Sequence, residues 1–94
     1  MSCKKKQAES YFSEFTNFSV KIPWDCFVYI LTNFLQFEMI NKRGSKRLFI
    51  NGEIRFTADE PHGRGDDYIY KEDRRRALNE ISKIYDFKKK VGEM

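Results

Sequence analysis

Two cysteines, Cys3 and Cys26, one histidine, His62, and two prolines are all that this 94-residue chain holds of those types. Two cysteines are too few for a disulfide framework and read as free thiols in a reducing cytoplasm. One histidine with no Cys/His spacing beside it gives no zinc site, and no metal or cofactor is expected. Nothing in its spacing supports a Ser-His-Asp enzyme. Long apolar runs are missing as well. The most apolar stretch, Trp24 to Phe37, is short and holds Asp25, Thr32, Asn33 and Gln36, so it does not read as a membrane span. Lys4, Lys5 and Lys6 run into Gln7, Ala8, Glu9 and Ser10 rather than an apolar segment, which argues against a signal peptide. The expectation is a cytoplasmic domain without membrane contact.

What is present is aromatic and charged. Nine Phe, five Tyr and one Trp are enough for a small core, and the length allows one domain over 1–94. The net charge is +4. Between Asn41 and Arg55 stand Lys42, Arg43, Lys46, Arg47 and Arg55 against the single anion Glu53, so this segment alone carries the excess of the whole chain. A local basic cluster suits a polyanionic partner, and it suits a solvated hairpin surface about as well.

Residues 1–6 read as a disordered basic tail and 88–94 as a second one. Ala8, Tyr11, Phe12 and Phe15 fall at helical spacing and predict a short helix from Gln7 to Thr16, in an N-terminal extension over 7–22. Pro23 suits a first helical position, and Asp25 complements the helix dipole. Trp24, Phe27, Val28, Leu31, Phe34 and Leu35 then mark an amphipathic helix ending near Gln36. Phe37 to Arg43, Lys46 to Ile50 and Glu53 to Ala58 read as strands. Asn51-Gly52 predicts a type I′ turn, with Ile50 facing Glu53, Phe49 facing Ile54, Leu48 facing Arg55 and Arg47 facing Phe56. Lys46 and Arg55 then point to the open sheet face. A last helix from Tyr70 to Tyr85 buries Ala77, Leu78, Ile81, Ile84 and Tyr85. The expected fold is α+β, a two-layer sandwich of order α-α-β-β-β-α, with helices on one face of a three-stranded antiparallel meander.

Three places carry candidate chemistry. The Lys42-Arg43-Gly44-Ser45-Lys46-Arg47 turn offers backbone N–H groups and four cations to phosphate. The loop Pro61-His62-Gly63-Arg64-Gly65-Asp66 offers an accessible histidine suited to proton transfer, or simply an ordinary loop histidine. Its Arg-Gly-Asp tripeptide is read as coincidence. Arg74-Arg75-Arg76 opposes the dipole of the last helix, so a phosphate-facing role competes there with a solvated face. No base-reading helix-turn-helix pattern points to DNA.

The turn and strand from Lys42 to Phe49 resemble the Gly-Ser-His-X-X-Phe signature of the HicA toxins of bacterial toxin–antitoxin systems. The Asn51-Gly52 hairpin, Pro61-His62-Gly63 and the C-terminal helix follow in that family's order, over roughly Lys5 to Ile84. The resemblance implies a double-stranded-RNA-binding-domain-like fold, action on mRNA as an interferase, and an antitoxin partner. Gly44 and Ser45 match the family's turn and Phe49 its core aromatic. Lys46 occupies the family's catalytic histidine position. A lysine is a poor base unless buried. The resemblance therefore implies that Lys46 and the arginines hold phosphate while His62 supplies what proton chemistry survives. The expected site is Lys46 and His62 for catalysis, and Lys42, Arg43, Gly44, Ser45, Lys46, Arg47, Arg55, Arg64 and Arg75 for RNA. An active metal-independent endoribonuclease and a module that docks an acidic antitoxin are the competing readings. Monomer and homodimer both remain open.

Overall fold

The computed structural model describes residues 3–61 and 68–87. Helices α1 (Lys5–Ser13) and α2 (Trp24–Tyr29) come first, and α2 runs into a π-helical turn, Ile30–Phe34. Strands β1 (Glu38–Asn41), β2 (Lys46–Asn51) and β3 (Ile54–Asp59) follow as an antiparallel meander, and α3 (Lys71–Ile81) closes the order. This is the expected α+β arrangement. Phe49, Phe56 and Ala58 alternate onto one sheet face and are buried, while Leu48 and Ile50 on the other face are half-buried. The helices therefore cover a single face.

Aromatic rings join the layers. Phe27 meets Phe49 edge-on at 5.7 Å, Phe37 meets Phe56 at 5.5 Å, and Phe49 stacks on Phe56 at 5.3 Å. A second group forms around Phe12, which contacts Phe34, Tyr85 and Phe87. Phe15, fully buried, stacks on Phe27 and links the groups. Thus α1 packs on the core. The expected helix over Trp24 to Gln36 is broken into α2 and the π-turn. Leu35 N–H reaches the Ile30 carbonyl at 3.1 Å, Gln36 takes a positive φ of 64°, and Phe37 N–H closes on the Leu31 carbonyl at 2.8 Å. α3 ends at Ile81 rather than at the expected Tyr85; Ala77 and Ile81 are buried as expected, whereas Ile84, past the end of the helix, is exposed.

The hairpin register differs from the expected one. Asn51 pairs with Ile54, Ile50 with Arg55, Phe49 with Phe56, Leu48 with Thr57 and Arg47 with Ala58. The turn residues are therefore Gly52 and Glu53. Gly52 alone has a positive φ, 63°, at the first central position, which is the type II′ pattern rather than I′. Asn51 is withdrawn from the turn because its side-chain amide donates to the Leu35 carbonyl at 2.9 Å. β3 has moved two residues along β2, and two residues is one side-chain period. Every side chain keeps its expected face despite the wrong pairing.

The N-terminal tail is also corrected. Cys3 is buried and disulfide-bonded to Cys26, so the two cysteines are not free thiols and the chain is tied to α2 at Cys3, with Lys5 and Lys6 already in α1. The bond anchors the start of α1, and the Lys4 N–H donates to the Gln7 side chain at 3.2 Å. The tail at 88–94 lies outside the described residues. Among the described residues, no helix is long and apolar enough to cross a membrane.

α3 seals the outer edge of β3. Asp73 accepts the Asp59 N–H at 3.0 Å, and Arg76 donates to the Thr57 carbonyl at 3.2 Å and to Asp73 at 2.7 Å. An edge strand covered in this way is a poor template for further pairing.

Candidate nucleic-acid interface

The basic turn is closed by its own backbone. Lys42 N–H donates to the Lys46 carbonyl at 2.8 Å and Lys46 N–H to the Arg43 carbonyl at 3.1 Å. Gly44 sits at φ 58°, where an L side chain would be strained. The N–H groups of Gly44 and Ser45 meet no acceptor among the described residues. Lys42, Arg43 and Lys46 are exposed, and no carboxylate pairs with them among those residues. Two unclaimed N–H groups amid three unclaimed cations suit a phosphate oxygen.

Arg47, expected among the phosphate cations, turns inward. Its guanidinium donates to the Gly44 carbonyl at 2.9 Å, the Lys46 carbonyl at 3.1 Å and Glu60 at 2.8 Å. Glu60 N–H in turn donates to the Ser45 carbonyl at 2.9 Å. Arg47 and Glu60 therefore brace the turn from behind.

The open sheet face is arranged in rows across the strands. One row is Glu38, Ile50 and Arg55, the next is Ile40, Leu48 and Thr57, and the last pairs Lys46 with Asp59. Lys46 and Arg55 do share this face. They lie at opposite ends of it, about 13 Å apart along β2 at the usual rise per residue. Each has a carboxylate in its row, and the middle row between them is mostly apolar. The face is not one cationic surface, so Arg55 is separate from the turn.

The three arginines of α3 have three different fates. Arg74, only 3% exposed, donates to the carbonyls of Glu14, Phe15, Asn17 and Val20. Burial pushes its guanidinium below the ordinary arginine value, yet the group remains a cation, as arginine does in proteins. Arg76 is spent on Asp73 and Thr57. Arg75 stays exposed, with its guanidinium 5.3 Å from the Phe18 ring centre. His62 and Arg64 lie outside the described residues.

A second grouping of cations and rings escaped the sequence reading. Phe18, Lys21, Tyr68, Tyr70, Lys71 and Arg74 line a cavity of about 240 Å³. The signal for it was the alternation Tyr68-Ile69-Tyr70, which puts one buried residue between two outward rings. Among the described residues, no group of three or more His, Cys, Asp or Glu side chains is placed to hold a metal ion.

The arrangement at the turn offers two N–H donors and three exposed cations, which is chemistry suited to an anion. The carboxylate that stands opposite Lys46 across the strands is Asp59. Comparison with known proteins adds no neighbour: no family model, curated protein or solved structure matches the chain.

Proposed function

We propose that this chain is a HicA-like RNA-binding domain that acts on mRNA by holding its phosphates at the Lys42–Lys46 turn. The observation that carries the reading is the pair of unclaimed N–H groups, Gly44 and Ser45, between the exposed cations Lys42, Arg43 and Lys46. The bracing of that turn by Arg47 and Glu60 supports it, because a fixed loop loses little freedom on binding. In this reading Lys46 neutralises phosphate and does not act as a base. A lysine becomes a base when it is buried, and Lys46 is exposed. Any proton transfer then falls to His62.

Binding of end-labelled structured mRNA, followed from low to physiological salt, tests the reading. The expected result is a steep linear fall of log affinity with log salt, as phosphate contacts release counterions. Salt-insensitive affinity, or no binding at low salt, would remove it. A denaturing gel of the same RNA in chelating buffer separates a binder from a metal-independent ribonuclease, with a Lys46→Ala, His62→Ala double variant as control.

One observation favours a partner protein as well. Ile40, Leu48 and Ile50 leave a half-buried apolar strip on the open face, with charges at both ends. An acidic antitoxin that reached the basic turn across this strip would mask the RNA site. Co-purification with a small acidic protein, lost on Leu48→Asp, would support it.

A further inference from the structure

The connector before α2 and the segment before α3 run side by side. Pro23 bridges Tyr68, and the Ile69 N–H donates to the Ile22 carbonyl at 3.0 Å. Side chains alternate along such a pair. Ile22 and Ile69 go into the core, so Lys21, Tyr68 and Tyr70 stand outward. Lys21 Nζ lies 5.7 Å from the centre of the Tyr68 ring. Phe18 adds a third ring, with the Arg74 guanidinium 4.5 Å and that of Arg75 5.3 Å from its centre.

Of these, Phe18, Lys21, Tyr68, Tyr70 and Arg74, joined by Lys71, line the half-open cavity of about 240 Å³. Its lining is aromatic and cationic, and no described carboxylate contributes to it. Tyr68 and Tyr70 are 39% and 45% exposed, and only Ile84 joins them as a large hydrophobic residue left so open among the described residues. Wet ring surface beside ammonium groups that meet no carboxylate among the described residues calls for a ligand with both a flat face and a negative charge. An acidic peptide would satisfy the charge and leave the rings bare. A duplex would present phosphates and keep its bases stacked inside. One nucleotide of single-stranded RNA presents a base to stack and a phosphate to pair within one repeat. The volume falls below the roughly 300 Å³ at which drug-sized sites begin, which suits a single ring system.

We propose that this cavity takes one unpaired RNA base, stacked on the tyrosine rings, with a neighbouring phosphate on Lys21 and Lys71. The inference rests on the RNA-binding reading and adds to it a preference for single-stranded over duplex segments.

Titration of the isotope-labelled full chain with AMP, and separately with ribose 5-phosphate, tests the cavity by the amide shifts of Ile69 and Lys71. AMP should bind at least about tenfold more tightly than ribose 5-phosphate, because only AMP can stack. Tyr70→Leu keeps apolar bulk and removes the π-face. It should weaken AMP and single-stranded oligoadenylate binding by roughly 5- to 150-fold, the span of base–aromatic stacking, and leave duplex RNA binding unchanged. Tyr68→Leu serves the same purpose if the first variant unfolds. Equal binding of the two phosphates, or parental AMP binding by both variants, would overturn the inference while leaving salt-dependent RNA binding standing. A parent chain that binds no RNA at low salt overturns the RNA reading and this inference with it.

Discussion

The Arg74 guanidinium lies 4.5 Å from the centre of the Phe18 ring while donating to four main-chain carbonyls, those of Glu14, Phe15, Asn17 and Val20. One side chain of α3 thus gathers the whole connector between α1 and α2. No carboxylate neutralises it among the described residues. The negative end of the α1 dipole and the four carbonyl oxygens serve instead. This contact also shapes the cavity wall, since Phe18 and Arg74 both line it.

Arg74→Lys tests this arrangement. A planar fork with five donors is replaced by a single ammonium that cannot reach all four carbonyls. Stranded buried carbonyls should cost about 2–3 kcal/mol. Arg74→Met should cost more, since it supplies no donor at all. Urea unfolding is the measurement, and the expected sign is a lower midpoint with an unchanged slope. A Lys variant with parental stability would mean that water satisfies these carbonyls equally well.

The disulfide gives a second expectation. Cys3 and Cys26 are separated by 23 positions. Cross-linking a loop of that length removes denatured-state entropy corresponding to about 3 kcal/mol. Thermal unfolding with and without reductant should therefore show a clear drop in Tm. A Cys3→Ser, Cys26→Ser variant should unfold at the reduced protein's temperature and ignore the reductant. Identical curves for the parent in both buffers would show that the bond does not form.

Gln36 gives a third. It occupies the left-handed region at φ 64°, where the chain leaves the π-turn. Glycine is the residue that enters this region without steric cost, and it is the usual helix terminator for that reason. Gln36→Gly should raise stability by about 0.5–1 kcal/mol, after allowing for the greater freedom of glycine in the unfolded chain. The gain is reduced by loss of the 3.1 Å bond from Gln36 to the Asn33 carbonyl. A lower midpoint would show that this bond outweighs the strain.

How far the sequence could be read depends on the range of the interaction concerned. Periodicity found α3 and the first turns of α2, because burial of Trp24, Phe27, Ala77 and Ile81 repeats on one helical face. It could not see the π-turn, which adds a residue per turn and depends on Leu35 and Phe37 closing over Ile30 and Leu31. Asn-Gly marked the hairpin to within two residues. The exact pairing followed from Asn51 reaching Leu35, a contact 16 positions away in the chain. The cysteine pair was misread because Cys3 sits among lysines, and only the return of α1 against α2 brings it to Cys26. The site behaved alike. Lys42, Arg43 and Lys46 are exposed as expected, since local charge and turn signals suffice for that. Arg47 and Arg74 were misjudged because their partners, Glu60 and the connector carbonyls, come from other segments.

That distinction between cations can be measured at the basic turn. Lys46 is exposed and unpaired among the described residues, whereas Arg47 is held by Glu60 at 2.8 Å and by two turn carbonyls. If the turn grips RNA phosphates, Lys42→Gln and Lys46→Gln should each lower the magnitude of the salt slope by about 0.7–0.9, one phosphate's worth. Neither should change stability by more than about 0.5 kcal/mol, as is usual for exposed positions. Arg47→Gln should do the reverse. It should leave the slope near the parental value and lower stability by about 1 kcal/mol, because a charged hydrogen bond and the turn brace are lost. Its affinity should fall modestly, through a looser turn rather than a missing charge. A slope reduced by Arg47→Gln and untouched by Lys46→Gln would reverse the assignment, making Arg47 the phosphate contact that leaves Glu60 when RNA arrives.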